Sequence, residues 1–280
     1  MTFRERTLAY LGTSNTKRVT TTELIRMKAA GKRITMLTAY DTLMAGILDQ
    51  AGIDVLLVGD SVSTVLAGEE TTLTATLDQM IYHGRIARRG TSRALVVVDL
   101  PFLTYQVSIE DAIRNAGRVM QETGAGGVKL EGGENLAPTI RALVDVGIPV
   151  MGHLGFTPQS VHSLGGAKIQ GKEASAADRL VSDAKAVEQA GAFAMVLELI
   201  PAAVAERVTK AVSIPTIGIG AGIHCDGQVL VTHDMLGLNE GFAPKFLKKY
   251  AELGKAMKEA AEQFAADVRD GKYPGPEHSH

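Results

Sequence analysis

The chain has 280 residues, 45% of them hydrophobic, and a formal net charge of −2. That length suits one large domain or two small ones and supplies a sizeable core. The near-neutral balance leaves no electrostatic footprint for nucleic acid, and no apolar run reaches the ~18 residues of a membrane span. The opening "MTFRERTLAY" lacks the apolar stretch of a secretory signal. One cysteine, Cys225, excludes an internal disulfide and suits a reducing cytoplasm.

In chain order, residues 1–33 read as a leading helical segment. Strand-like runs follow at 34–39, 54–59, 94–99, 127–131, 149–153, 193–198 and 215–220. They are rich in Val, Leu and Ile with little polar alternation, as expected of parallel strands buried on both faces. Helical stretches separate them and carry boundary signals. Thr76 with Gln79, Ser108 with Asp111, and Ser175 with Asp178 match a capping box or its Asp variant. Gly52, Gly90, Gly124, Gly147 and Gly191 fall where left-handed C-caps are needed. Pro149 and Pro215 stand at strand starts, where a missing N–H does least harm.

Helix, glycine, strand and loop thus recur seven times, and "GQVLVTHD" (227–234) offers an eighth strand. Eight such units predict a (β/α)8 barrel in a single domain over residues 1–280. A doubly wound open sheet is the main rival, but no G-x-G-x-x-G follows the first strand. Residues 244–271 read as a closing amphipathic helix and 272–280 as a loose tail.

Active sites of such barrels lie at the C-terminal strand ends. Asp60 follows the second strand, and Asp99, Glu131 and Glu198 close the third, fourth and sixth. One acid after a strand is usually a helix cap or an ion-pair partner. Acids on three consecutive strands would repel one another unless a cation lay between them. All-oxygen donors favour Mg²⁺ or another hard cation.

Lys129 shares a strand face with Glu131. It either pairs structurally with Glu131 or Asp99 or holds a substrate anion. His153 ends the fifth strand, as a hydrogen-bonded core residue or as a substrate contact. Ser61 is an N-cap or a donor to substrate. Glu198 lies across the mouth, as an N-cap or as a general base. "GIGAG" (218–222) occupies the place where barrels often bind phosphate. Residues 155–175 form a long polar, glycine-rich stretch of the kind used as a lid.

Taken together, "TAYD", "LLVGDS", "DLPF", "VKLEGG", "GHLGFTPQS", "GGAKIQG", "LELIP", "IGIGAG" and "DGQVLV", in this order over residues 20–280, resemble the ketopantoate hydroxymethyltransferase family. The resemblance implies a (β/α)8 barrel and homo-oligomers, often decamers, in the cytoplasm. It implies one-carbon transfer from 5,10-methylenetetrahydrofolate to 3-methyl-2-oxobutanoate with one Mg²⁺ per subunit. Metal ligands would fall on Asp60, Asp99 and Glu131. Substrate contacts would fall on Asp60, Ser61, Asp99, Lys129, His153 and Tyr40, and the proton acceptor on Glu198. Thr42 stands where many relatives carry an aromatic. Two rivals are a Mg²⁺-dependent carbon–carbon lyase or mutase and a non-catalytic barrel. The first lacks folate-dependent turnover, and the second needs no base.

Overall fold

Strands that are apolar on both faces need cover on both, and a closed ring of them wrapped by helices provides it. The computed structural model describes residues 17–239, 241 and 243–279. Its strands are β1 (Ile34–Thr38), β2 (Val55–Val58), β3 (Leu95–Asp99), β4 (Gly127–Glu131), β5 (Val150–Gly155), β6 (Ala194–Glu198), β7 (Thr216–Ile219) and β8 (Gly227–Leu230). They form a closed barrel in sequence order, and successive strands from β1 to β8 pair in parallel. The expected (β/α)8 architecture is the one observed. Residues up to Val229 make one compact unit, and a second begins at Leu230.

Inward-facing residues alternate along the strands. Ile34, Met36, Val55, Leu57, Leu95, Val97, Met151, Ala194, Val196, Ile217 and Val229 form one buried cluster. Val19 and Leu24 join it from the leading segment, of which residues 1–16 lie outside the described residues. The helix Thr21–Ala29 thereby closes the end of the barrel where the strands begin. Lys28 ties it there, donating to the carbonyls of Thr209 and Ile214 and pairing with Asp226 at 3.0 Å. The apolar stack is therefore sealed at one end, and polar groups gather at the other.

Helix boundaries follow their local chemistry with two exceptions. Thr76 and Gln79 form a reciprocal capping box on the helix Leu77–Gly90, and Ser108 caps the helix Ile109–Thr123. Ser175 does not cap. The helix Ala174–Gln189 begins one residue earlier, after Glu173, so Ser175 and Asp178 are already inside it. Gly52, Gly124, Gly147 and Gly191 have positive φ, but Gly90 does not and remains helical. A Cβ there would lie 2.2 Å from the Thr42 carbonyl oxygen. Gly90 is small so that the helices Thr42–Gln50 and Leu77–Gly90 can touch. Thr42 serves the same contact, donating its hydroxyl to Ile86 O at 2.7 Å.

In the second unit the closing helix is shorter than expected, Leu253–Arg269, with none of its residues buried. Residues before it run back along the turn that follows Met235. Tyr250 N–H bonds Met235 O, and Leu253 N–H bonds Leu236 O. Gly254 N–H likewise bonds Gly237 O, so these non-helical bonds tether the start of the helix. The terminal segment includes a 3₁₀ turn at Pro276–His278. No helix among the described residues is long and apolar enough to cross a membrane.

Candidate active site

The alternation that fills the barrel with Leu95 and Val97 brings Asp99 to its mouth on the same face of β3. Register then places Lys129 beside Asp99, Glu131 beside His153, and Glu198 beside Gly155. Side chains far apart in sequence meet. Lys129 Nζ lies 3.1 Å from Asp99 Oδ1 and 3.2 Å from His153 Nδ1. His153 Nδ1 is 3.3 Å from Glu131 Oε1, and its Nε2 is 3.1 Å from Glu198 Oε2. Asp60 donates its backbone N–H to Asp99 Oδ2 at 3.0 Å.

These contacts bear on several alternatives. Glu198 does not cap a helix, because the next one starts at Ala202 with Pro201 before it. Ser61 precedes the short helix Val62–Val65 without a side-chain capping bond. Its hydroxyl shares a 2.8 Å hydrogen bond with Tyr40. Lys129 is an ion-pair partner of Asp99, and His153 bridges Glu131 and Glu198. Within "GIGAG", a Cβ on Gly222 would come within 2.5 Å of Ala202 Cβ, and one on Gly218 within 3.0 Å of Cys225 Sγ. Close packing accounts for those glycines.

Electrostatics follow from burial with too few countercharges. Burial, then the charges of Asp99 and Glu131, pushes the Asp60 carboxyl up to about 8. Burial raises Asp99 as well, against the pull of Lys129. Burial pushes Glu131 up too, but the hydrogen bond and charge of His153 outweigh it and hold this carboxyl below its usual range. His153 rises to about 9, since Glu131 and Glu198 outweigh burial and the Lys129 charge. Burial drives Tyr40 to about 12.

Two residues that sequence reasoning missed complete the site. Gln159 donates from Nε2 to Asp60 Oδ2 and to Leu100 O, each at 2.9 Å, and from its backbone N–H to Glu131 Oε2 at 2.9 Å. The Tyr105 hydroxyl donates to Gln159 Oε1 at 2.7 Å and accepts from Glu131 N–H at 3.1 Å. The available signal was position. Gln159 opens the long stretch after β5, and Tyr105 lies on the loop after Asp99.

Among the described residues, no three His, Cys, Asp or Glu side chains stand together as a ready metal cluster. Lys129 and His153 stand between the acids as countercharges. The donor set still suits a hard cation. Asp99 Oδ1 and Glu131 Oε1 are buried without an aligned hydrogen bond. Four carboxyl groups face only two cationic side chains, and the imbalance is met by the raised Asp60 and Asp99 carboxyls, which hold protons more tightly than usual.

A closed parallel barrel with acids, a lysine and a histidine on successive C-terminal strand ends defines an enzyme of the (β/α)8 class. Residues 18–276 match the family model described as ketopantoate hydroxymethyltransferase. The chain is 53% identical over 266 residues to the 3-methyl-2-oxobutanoate hydroxymethyltransferase of Pelodictyon phaeoclathratiforme, covering 94% of this chain and 96% of that one. It is 54% identical over 263 residues to the protein of the same name from Syntrophotalea carbinolica, covering 94% and 98%. The chain belongs to the ketopantoate hydroxymethyltransferase family. The fold is shared more widely. A phosphoenolpyruvate phosphomutase from Streptomyces platensis superposes with a TM-score of 0.61 at 14% identity, covering 92% of each chain. A phosphonopyruvate hydrolase in complex with oxalate and Mg++ superposes with a TM-score of 0.60 at 12% identity, covering 92% and 93%.

Proposed function

We propose that this chain transfers a hydroxymethyl group from 5,10-methylenetetrahydrofolate to 3-methyl-2-oxobutanoate. The products are 2-dehydropantoate and tetrahydrofolate, and the reaction opens pantothenate synthesis. The observation that carries this reading is the run of contacts Asp99–Lys129–His153–Glu198 across the barrel mouth. Glu198, expected across the mouth, instead stands next to His153 at the more exposed end of a buried, charge-dense row.

The C3–H of a 2-oxo acid is a weak acid, so the site needs a base and a means of holding negative charge on the oxo oxygen. Asp60, Asp99 and Glu131 are proposed to hold Mg²⁺. When bound, it supplies a Lewis acid that draws electron density from the 2-oxo group. The fold neighbour complexed with oxalate and Mg++ lends support, because oxalate presents the paired oxygens of a 2-oxo acid.

Lys129 sets positive charge beside those oxygens. Ser61 and Tyr40, joined by their shared hydrogen bond, offer a donor at the edge of the pocket. Glu198 takes the C3 proton. Its side chain is 18% exposed, against 2–3% for Asp99, Glu131 and His153, so it is the acid a substrate reaches first. Water takes the one-carbon unit from folate, breaking its bonds to both N5 and N10 and giving a formaldehyde-level carbonyl; C3 attacks that carbon, and the carbonyl oxygen takes up a proton as the new hydroxyl.

We also propose a cytoplasmic homo-oligomer, a decamer as the resemblance implies. The free, buried Cys225 suits a reducing compartment. Met257, Phe264 and Val268 on the helix Leu253–Arg269 are exposed apolar side chains that a second copy would cover. The decisive experiment incubates the protein with both substrates and Mg²⁺. Dehydropantoate should form, and a chelator should stop it. No product with the cation present would sink the proposal.

A further inference from the structure

The segment between β5 and the helix Ala174–Gln189 leaves the barrel rim and returns to it. Along it Gln159 is only 6% exposed, while His162, Ser163, Lys168 and Ile169 are exposed. The segment is pinned at two points. One is Gln159, and the other is Gln170, whose N–H bonds Leu199 O at 2.8 Å beside Glu198.

The Gln159 amide has one permitted orientation. Its Nε2 donates to Asp60 Oδ2 and Leu100 O, while its Oε1 accepts from Tyr105 and, at 3.2 Å, from Gln106 Nε2. Turned over, it would set oxygen against two oxygens and nitrogen against two donors. The held amide fixes the Asp60 carboxyl through one of its oxygens. The backbone N–H likewise fixes one oxygen of Glu131, and His153 faces the other. Carboxylates already aimed bind a cation better than carboxylates that must first be ordered.

We propose that Gln159 is a positioning residue that couples the loop after β5 to cation binding at the acidic mouth. The inference rests on the cation reading given above. With Gln159 seated, Asp60 and Glu131 are aimed and the cation binds more tightly. By linkage, a cation that holds Asp60 also holds Gln159, and with it the root of the loop. The loop is then most firmly seated when the mouth is loaded.

The test uses the full chain, with Mn²⁺ as a spectroscopic probe and Mg²⁺ as the proposed ion. Free Mn²⁺ is measured by electron paramagnetic resonance, and backbone exchange of residues 157–171 is followed with and without Mg²⁺. The wild-type protein should bind Mn²⁺, and Mg²⁺ should slow exchange in the loop. Gln159→Met should weaken Mn²⁺ binding roughly tenfold or more and abolish the Mg²⁺-dependent slowing. Ser163→Ala, in the exposed stretch, should leave both unchanged. A purely structural role would loosen the loop equally with and without Mg²⁺. Mn²⁺ affinity within roughly twofold of wild type in Gln159→Met, or slowing that survives there, overturns the coupling. Where Gln159→Met does not fold, Tyr105→Phe removes the hydroxyl that holds Oε1. It should weaken Mn²⁺ binding roughly threefold or more and reduce the slowing, and unchanged values overturn the proposal. A wild-type protein that ignores Mn²⁺ overturns the cation reading and this inference with it, and that failure is distinguishable because no variant is involved.

Discussion

Gly155 and Glu198 meet backbone to backbone at the rim between β5 and β6. A Cβ on Gly155 would stand 2.2 Å from the Glu198 carbonyl oxygen. The φ of Gly155 is also +95°, a region that side-chain-bearing residues avoid. The next residue, Phe156, donates its N–H to that same carbonyl at 2.8 Å. Close approach of the two strand ends thus sets where Glu198 stands. Leu199 adds a constraint of its own, with φ +46°, a strained value for leucine that belongs with site geometry.

Gly155→Ala is therefore expected to act on both stability and rate. The clash and the forbidden φ should cost about 2–4 kcal/mol. Displacement of Glu198 should lower kcat roughly tenfold or more beyond any loss of folded protein. Denaturant melts and turnover per folded molecule check this. A variant with full turnover per folded molecule would show that Gly155 matters to folding alone.

Glu198→Gln keeps the shape of the side chain and removes its ability to take a proton. Binding of the 2-oxo acid should persist, while deuterium exchange at its C3 falls roughly 100-fold or more. Proton NMR in D₂O without folate reads this directly. Exchange at the wild-type rate would move the base to another residue.

Most of the fold was legible because buried parallel strands announce themselves by composition. All eight were found within two residues at each end, apart from the ambiguous end of the last. The acids were legible because they break an apolar run at its end, and strand order brings such ends together. Gln159 and Tyr105 were not, because neither interrupts a pattern. An amide in a loop declares itself only when the loop folds back onto the strands. Gly90 misled for a related reason. Its sequence position suits a cap, and the helix it must admit, Thr42–Gln50, is forty residues away. Ser175 failed since a capping pattern one residue inside a helix looks like one at its start.

Asp49 offers a prediction independent of the mouth. It lies near the end of the helix Thr42–Gln50 and accepts the N–H groups of Ser92, Arg93 and Ala94 and the Ser92 hydroxyl. Burial opposes the charge, but these donors prevail and hold the carboxyl below its usual range. A depressed folded value contributes stability that is present above the unfolded value, about 4, and lost as pH falls through the folded one. Asp49→Asn should destabilise the protein by about 2 kcal/mol near neutrality. The gap to wild type should close as pH drops below about 4. Unfolding free energies measured across that range check it, and a gap that does not depend on pH would remove the carboxylate from the explanation.

Lys129→Met tests the charge balance of the mouth. Lys129 is buried against Asp99 and near His153, and its removal strands negative charge in the barrel. Loss of one partner of a buried pair should cost about 3–5 kcal/mol. Divalent cation should restore part of that loss, since a ligand that binds the folded state alone stabilises it by about 2.7 kcal/mol at one hundred times its Kd. The rise in melting temperature on adding Mg²⁺ should therefore be larger in Lys129→Met than in wild type, because the cation then meets acids with no ammonium among them. Monovalent salt at matched ionic strength should reproduce little of the effect, as screening acts weakly on buried charges. Equal Mg²⁺ shifts in the two proteins would mean that Lys129 and the cation do not answer to the same carboxylates. No shift in either would mean that the acids are satisfied by Lys129 and His153 alone.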